Sequence, residues 1–189
     1  MSVPTQTSIV FLDRDGTVNV DYGYIKDPNN IELIQGSADA VATLNRAGYV
    51  VVIISNQSAI GRGMATHEEV QECNAQLERL LYTKNSGAIV DMIVYNPDTP
   101  DNATDMRKPC VGMLREIKKY WDFDPTKCWV VGDKISDIEF GINAGIPETH
   151  CVLVMTGQGE KAVSGLSLEL KQNIQIAKDL SEAAKIIVP

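Results

Sequence analysis

A chain of 189 residues, 44% hydrophobic and 22% charged, has the make-up of one globular domain of generous size with ample length for a buried core. Its net charge of −8 argues against non-specific binding to nucleic acid or an anionic membrane, although a local group of Lys and Arg can still receive a small phosphorylated ligand. No apolar run approaches a membrane span, and residues 1–7 lack the basic and apolar regions of a signal peptide.

The first strand is expected over residues 8–12, where an apolar run ends in Asp13-Arg14-Asp15 and a Gly16-Thr17 turn. Residues i and i+2 of a strand share a face, so Asp13 and Asp15 can converge on one small volume if the chain bends at Gly16. Two acids that close repel unless a cation or a shared proton holds them. A hard divalent cation with oxygen ligands, Mg²⁺, is the economical explanation. The plainer alternative for this fragment alone is a solvated Asp-Gly turn after an edge strand.

Residues 18–35 are irregular and read as a loop or small hairpin flap. Ser37 reads as the N-cap of a helix carrying Val41 and Leu44 and ended by Gly48. Residues 50–54 form a continuous apolar strand of the kind buried on both faces of a parallel sheet, ending at Ser55-Asn56-Gln57-Ser58. Thr66 and Glu69 make a capping-box pattern before a helix with Val70, Cys73, Leu77, Leu80 and Leu81 at helical spacing. A third strand is expected over 88–95. A polar loop over 96–106 then leads to Arg107-Lys108-Pro109 and a helix with Val111, Leu114, Ile117 and Trp121 on one face. Residues 128–131 form a fourth strand running into Gly132-Asp133-Lys134, followed by a short helix over 136–144 closed by Gly145. A fifth strand spans 152–155. After a turn at Gly157 and Gly159 come a weak strand near 174–176 and a last helix capped by Asp179 and Glu182.

Strands alternating with helices predict an α/β fold, a three-layer sandwich around a mostly parallel sheet, whose ligands bind beyond the C-terminal strand ends. The polar signals fall there: Asp13 and Asp15 after the first strand, Ser55 after the second and Asp133 after the fourth, with Lys108 at a loop-to-helix junction. Glycine patterns of the dinucleotide or P-loop type are absent. Cys73, Cys110, Cys128 and Cys151 are scattered without a C-x-x-C pair and read as reduced core thiols of a cytoplasmic protein. His67 and His150 read as surface or packing residues. No sustained heptad stands out, so a monomer is expected.

In order, Asp13-x-Asp15-Gly16-Thr17, Ser55, Lys108-Pro109 and Gly132-Asp133-Lys134-x-x-Asp137 resemble the four motifs of the haloacid dehalogenase-like (HAD) phosphohydrolases. With Asp21-Tyr22-Gly23-Tyr24, Ser55-Asn56-Gln57-Ser58 and Arg107-Lys108-Pro109 included, most of the chain resembles the branch of D-glycero-D-manno-heptose 1,7-bisphosphate 7-phosphatases, close to histidinol-phosphate phosphatases. The resemblance implies that Asp13 is a nucleophile forming an aspartyl-phosphate and that Asp15 is the acid and base. It places Mg²⁺ on Asp13, the Asp15 backbone carbonyl and Asp133, and the phosphoryl oxygens on Ser55 and Lys108. Asp21, Tyr22, Gly23 and Tyr24 of the flap, Asn56, Gln57, Ser58, Arg107 and Lys134 would contact the rest of the substrate. Asp137 would orient Lys134 or a metal-bound water, or serve only as the acid at a helix N-terminus.

The intervals between Asp13, Ser55 and Lys108 are filled by the expected elements. Neither leaves the roughly 50 residues a separate cap domain needs, so one capless domain over 1–189 is expected. Related heptose enzymes fix the loop before Arg-Lys-Pro with zinc. The matching positions here, Asn96-Pro97-Asp98 and Thr104-Asp105-Met106, offer no thiolate or imidazole, so Zn²⁺ is not expected. The reading is a Mg²⁺-dependent phosphatase of a small sugar phosphate, a heptose bisphosphate first. Histidinol phosphate or another small phosphomonoester is the alternative within enzymes. Outside them stand a phosphosugar-binding protein that kept the fold and a receiver domain storing phosphate on aspartate.

Overall fold

The computed structural model describes residues 7–189. The missing signal-peptide pattern was read from residues 1–7, of which 1–6 lie outside the described residues. Strands β1 (Ile9–Leu12), β2 (Val50–Asn56), β3 (Met92–Asn96), β4 (Trp129–Gly132), β5 (Cys151–Val154) and β6 (Gln175–Ala177) form one sheet in the order β3-β2-β1-β4-β5-β6. Every neighbouring pair is parallel, so the sheet is wholly rather than mostly parallel. The chain runs outward from β1 to β3, then returns to lay β4 on the other side of β1. That reversal opens a crevice at the C-terminal ends of β1 and β4, the place where such sheets bind ligands.

All of β1 is out of water, and its alternation divides it between two cores. Val10 and Leu12 face one core, with α1 (Ser37–Arg46), α3 (His67–Lys84) and α8 (Leu180–Ile187). Ile9 and Phe11 face the other, with α4 (Leu114–Ile117), α5 (Ile135–Asn143) and α6 (Gly159–Gly165). Each buried side chain of this size contributes roughly 1.5–3 kcal/mol on leaving water, so the strand carrying Asp13 is anchored from both sides. The short α2 (Ser58–Gly61) and α7 (Leu168–Asn173) complete the helices. Among the described residues no helix is long and apolar enough to cross a membrane.

Several expectations change in detail. The N-cap of α1 is Gly36, at φ +84°, and Ser37 is the first helical residue, its hydroxyl buried without a partner. The third strand starts at Met92 rather than 88. The helix expected over 111–121 shrinks to α4. The Gly112 N–H donates to the Asp105 carbonyl at 2.8 Å, so Val111 reaches the core from a turn and Trp121 from beyond the helix. Helices α6 and α7 were not anticipated. Residues 18–20 and 32–34 do return on each other as a small flap, with Val20 N–H donating to the Glu32 carbonyl and Ile34 N–H to that of Val18. Three cysteines are buried, but Cys110 is exposed, against the expectation of core thiols throughout.

Candidate active site

The bend after β1 depends on Gly16, whose φ of +88° lies in the region that favours glycine. A Cβ there would meet Asp133 Oδ2 at 2.2 Å, so the missing side chain lets the first turn close on the end of β4. Asp13 leaves β1 with its N–H on the Val131 carbonyl, which carries its carboxylate into the crevice. Lys108 Nζ donates to Asp13 Oδ1 at 2.8 Å and to the Ile54 carbonyl at 2.7 Å, and lies 2.7 Å from Asp137 Oδ1. Burial alone would raise the Asp13 carboxyl, but Lys108 and Lys134 outweigh it and hold it far below the usual range. Burial alone would lower Lys108, but Asp13 and Asp137 outweigh it and keep its pKa raised.

Lys134 makes the most telling contacts. Its Nζ donates to Asp13 Oδ2 at 3.1 Å, to the Asp15 backbone carbonyl at 3.1 Å and to Asp133 Oδ1 at 2.8 Å. Three oxygens from β1, its following turn and β4 thus converge on one ammonium, the same three that the resemblance assigns to a metal ion. Carboxylate oxygens of Asp13, Asp133 and Asp137 all lie within 4.8 Å of one another, in a buried set of the hard-ligand type. Burial first, then the charge of Asp13, pushes Asp133 up to about 7. The donor set therefore favours additional positive charge and fits a divalent cation.

Asp15 and Asp13 line the same cleft of about 40 Å³ with Ser55, Asn56, Lys108 and Lys134, yet their carboxylates have different partners. Asp15 accepts from Arg14 Nε at 3.1 Å and Nη2 at 2.9 Å, from Gln57 Nε2 at 2.8 Å and from Asn19 Nδ2 at 2.9 Å. Arg14 was not singled out from sequence. It is 1% exposed and also donates to Asn74 on α3 at 2.8 Å and to Gln57 Oε1 at 3.1 Å. Asn74, the polar residue directly after Cys73 and three before Leu77 on the buried face of α3, was the available signal.

The expected substrate-contact residues divide. Asn56 uses both ends of its amide on the Lys108 backbone, at 3.1 Å each, and Gln57 spans Asp15 and the Ser55 hydroxyl. Ser58 opens α2. In the flap, Asp21 accepts from the Gly23 N–H, while Tyr22 and Tyr24 are exposed beside Glu32 around a separate hollow of about 470 Å³. Arg107 immediately precedes Lys108 and is half-buried. Asp137 accepts from the Lys134 backbone N–H at 3.0 Å while contacting Lys108, so it serves the helix N-terminus and the site together. The histidines pack: His67 bonds Tyr95, and His150 stacks on Trp129 at 4.1 Å.

A doubly wound parallel sheet whose central strand end carries Asp-x-Asp, faced by a buried lysine and a second acid, defines a hydrolase of the HAD type. Two family models bear on it: one described as Polynucleotide kinase 3 phosphatase matches residues 8–138, and one described as HAD-hydrolase-like matches residues 105–183. The D-glycero-beta-D-manno-heptose-1,7-bisphosphate 7-phosphatase of Pseudomonas aeruginosa is 37% identical, over 96% of this chain and 98% of its own length. The D-glycero-D-manno-heptose-1,7-bisphosphate 7-phosphatase of Thermosynechococcus vestitus is 36% identical, over 94% of each chain. Among solved structures, the D,D-heptose 1,7-bisphosphate phosphatase of B. bronchiseptica, complexed with magnesium and phosphate, superposes with a TM-score of 0.85 at 32% identity, covering 95% of this chain and 97% of that one. The chain belongs to the heptose-1,7-bisphosphate 7-phosphatase family of HAD-like hydrolases.

Proposed function

We propose that this chain is a Mg²⁺-dependent phosphatase that removes the 7-phosphate of D-glycero-D-manno-heptose 1,7-bisphosphate, acting as a single uncapped domain in the cytoplasm. The observation that carries it is the convergence of Asp13, the Asp15 carbonyl and Asp133 on one cationic point, with Lys108 on the other oxygen of Asp13. The names of relatives aligned over nearly the whole chain support the substrate.

Asp13 is the nucleophile. Its carboxylate, kept ionised by the two lysines, attacks phosphorus as the ester P–O bond breaks. Asp15 protonates the departing sugar oxygen, then takes a proton from the water that cleaves the aspartyl-phosphate and releases phosphate. Ser55 and Lys108 hold the phosphoryl oxygens. Mg²⁺ would be held by Asp13, the Asp15 carbonyl and Asp133, and supplies positive charge that lets one anion approach another. Arg107, Lys134, the Asp21–Tyr24 flap and the segment Asn56 to Ser58 receive the remainder of the sugar phosphate.

The test is a panel of heptose bisphosphate, histidinol phosphate, p-nitrophenyl phosphate and a 3′-phosphorylated oligonucleotide, each with Mg²⁺ and with chelator. The oligonucleotide is included because of the polynucleotide phosphatase match; the net charge of −8 opposes it. Preferred turnover of the heptose bisphosphate, abolished by chelator and by Asp13→Asn in a folded protein, is expected. Preference for histidinol phosphate overturns the substrate, and unchanged turnover in Asp13→Asn overturns the nucleophile.

A further inference from the structure

The loop joining β3 to Lys108 is closed by one carboxylate. Asp98 Oδ2 accepts from the Thr104 backbone N–H at 2.9 Å and from the Thr104 hydroxyl at 2.6 Å. With its amide nitrogen turned toward that carboxylate, Asn96 at the end of β3 adds a donor at 3.0 Å. The Thr104 hydroxyl accepts from the Met106 N–H at 3.2 Å, and the Thr104 carbonyl accepts from the Arg107 N–H at 3.2 Å. The ring closes when Arg107 Nη1 donates to the Asp98 backbone carbonyl at 2.7 Å. Arg107 is thus tied at its backbone and at one corner of its guanidinium.

The consequence lies in what stays free. The other guanidinium hydrogens of Arg107 have no hydrogen-bond partner among the described residues. A planar fork with one corner fixed has a defined direction, which suits bidentate recognition of a phosphate. Lys108, the next residue, lines the catalytic cleft, and Tyr24 of the flap and Arg62 after α2 lie close enough to act on the Arg107 charge. The Gly61 N–H donates to the Pro97 carbonyl at 3.1 Å, which brings the chain beside Arg62 against this loop.

We propose that Asp98 is a positioning residue: clasped to Thr104, it aims Arg107 at a second phosphate of the substrate, the one that is not hydrolysed, and so sets preference for a bisphosphate over a monophosphate ester. The proposal rests on the sugar-bisphosphate reading above. Two further attachments keep the loop on the body when Asp98 is altered. Arg115 pairs with both oxygens of Asp105, and the Gly112 N–H holds the Asp105 carbonyl. The clasp is therefore separable from the fold.

The experiment uses the full chain with Mg²⁺, heptose 1,7-bisphosphate and p-nitrophenyl phosphate, comparing wild type, D98A, D98N, R107A and D98A/R107A, with a thermal midpoint for each. D98A is expected to raise KM for the bisphosphate about tenfold with kcat within about twofold, and to leave kcat/KM for p-nitrophenyl phosphate unchanged. D98N keeps an acceptor for Thr104 and recovers most of the loss, while the double variant is no worse than R107A alone. Equal losses on both substrates, or additive losses in the double variant, overturn the clasp. A wild-type preference for the bisphosphate that survives D98A overturns it alone, whereas a wild type with no such preference overturns the parent reading and the clasp with it.

Discussion

Arg14 stands between the two aspartates of the first motif, and its side chain leaves the crevice to run beneath it. It ties Asp15 through a two-point contact to Asn74 on α3 and to Gln57 after β2, so three separate elements fix the orientation of one carboxylate. Lysine carries the charge but not the fork. Arg14→Lys is therefore expected to lower kcat about a hundredfold, within the range attributed to a positioned acid–base group, as read from steady-state kinetics. Arg14→Met leaves Asp15 without its cation and is expected to cost about 3 kcal/mol of stability, measured by denaturant titration. Asp13, Asp15 and Asp133 were legible in the sequence because each follows an apolar strand run, and Lys108 because it stands before Pro109 at a loop-to-helix junction. Arg14 and Asn74 were not, because their meaning lies in a contact between residues 60 positions apart.

The ends of elements, more than their interiors, decide what the site can hold. Asp133 emerges from β4 into a space bounded by two glycines. A Cβ on Gly157 would come within 2.2 Å of Asp133 Oδ2 and 2.6 Å of the Gly16 Cα. The neighbouring Gln158 N–H donates to that same oxygen at 2.8 Å, so the turn after β5 is part of the mounting of Asp133. Gly157→Ala is expected to raise the Mg²⁺ concentration for half-maximal binding about tenfold, measured by calorimetry, because the carboxylate must move. The inner strands were legible from uninterrupted Val and Ile runs. Helices α6 and α7 were not: α6 begins and ends in glycine, and Leu168 at the start of α7 is 79% exposed, so neither shows an apolar period. The apolar residues at 111–121 were read as one helix because their spacing matched, yet five of the backbone bonds in and around α4 close at i−3, which carries the same residues to the same core.

Across the whole molecule, two cores grip a sheet whose central strand is sealed from both sides, and that sealing reaches the thiols. Burial raises Cys73, pushes Cys128 up to about 11 and Cys151 up to about 12, whereas Cys110 stands at the surface. A thiol-directed reagent at pH 8 is expected to label Cys110 alone in the native protein, and all four cysteines after denaturation, as counted by mass spectrometry. Raising the pH to 9 is expected to leave the native count unchanged, since burial keeps the other three thiols raised and out of reach of the reagent. The overall architecture was legible from the alternation of strand and helix patterns, and the all-parallel order follows once every crossover carries a helix. The grip of Lys134 on Asp13, the Asp15 carbonyl and Asp133 bears on the molecule as a whole. A nest of acids sunk beneath the surface would push itself apart if nothing neutralised it. Here the polypeptide brings a counter-ion of its own on a tether, so buried carboxylates can lie side by side without the fold alone bearing their repulsion.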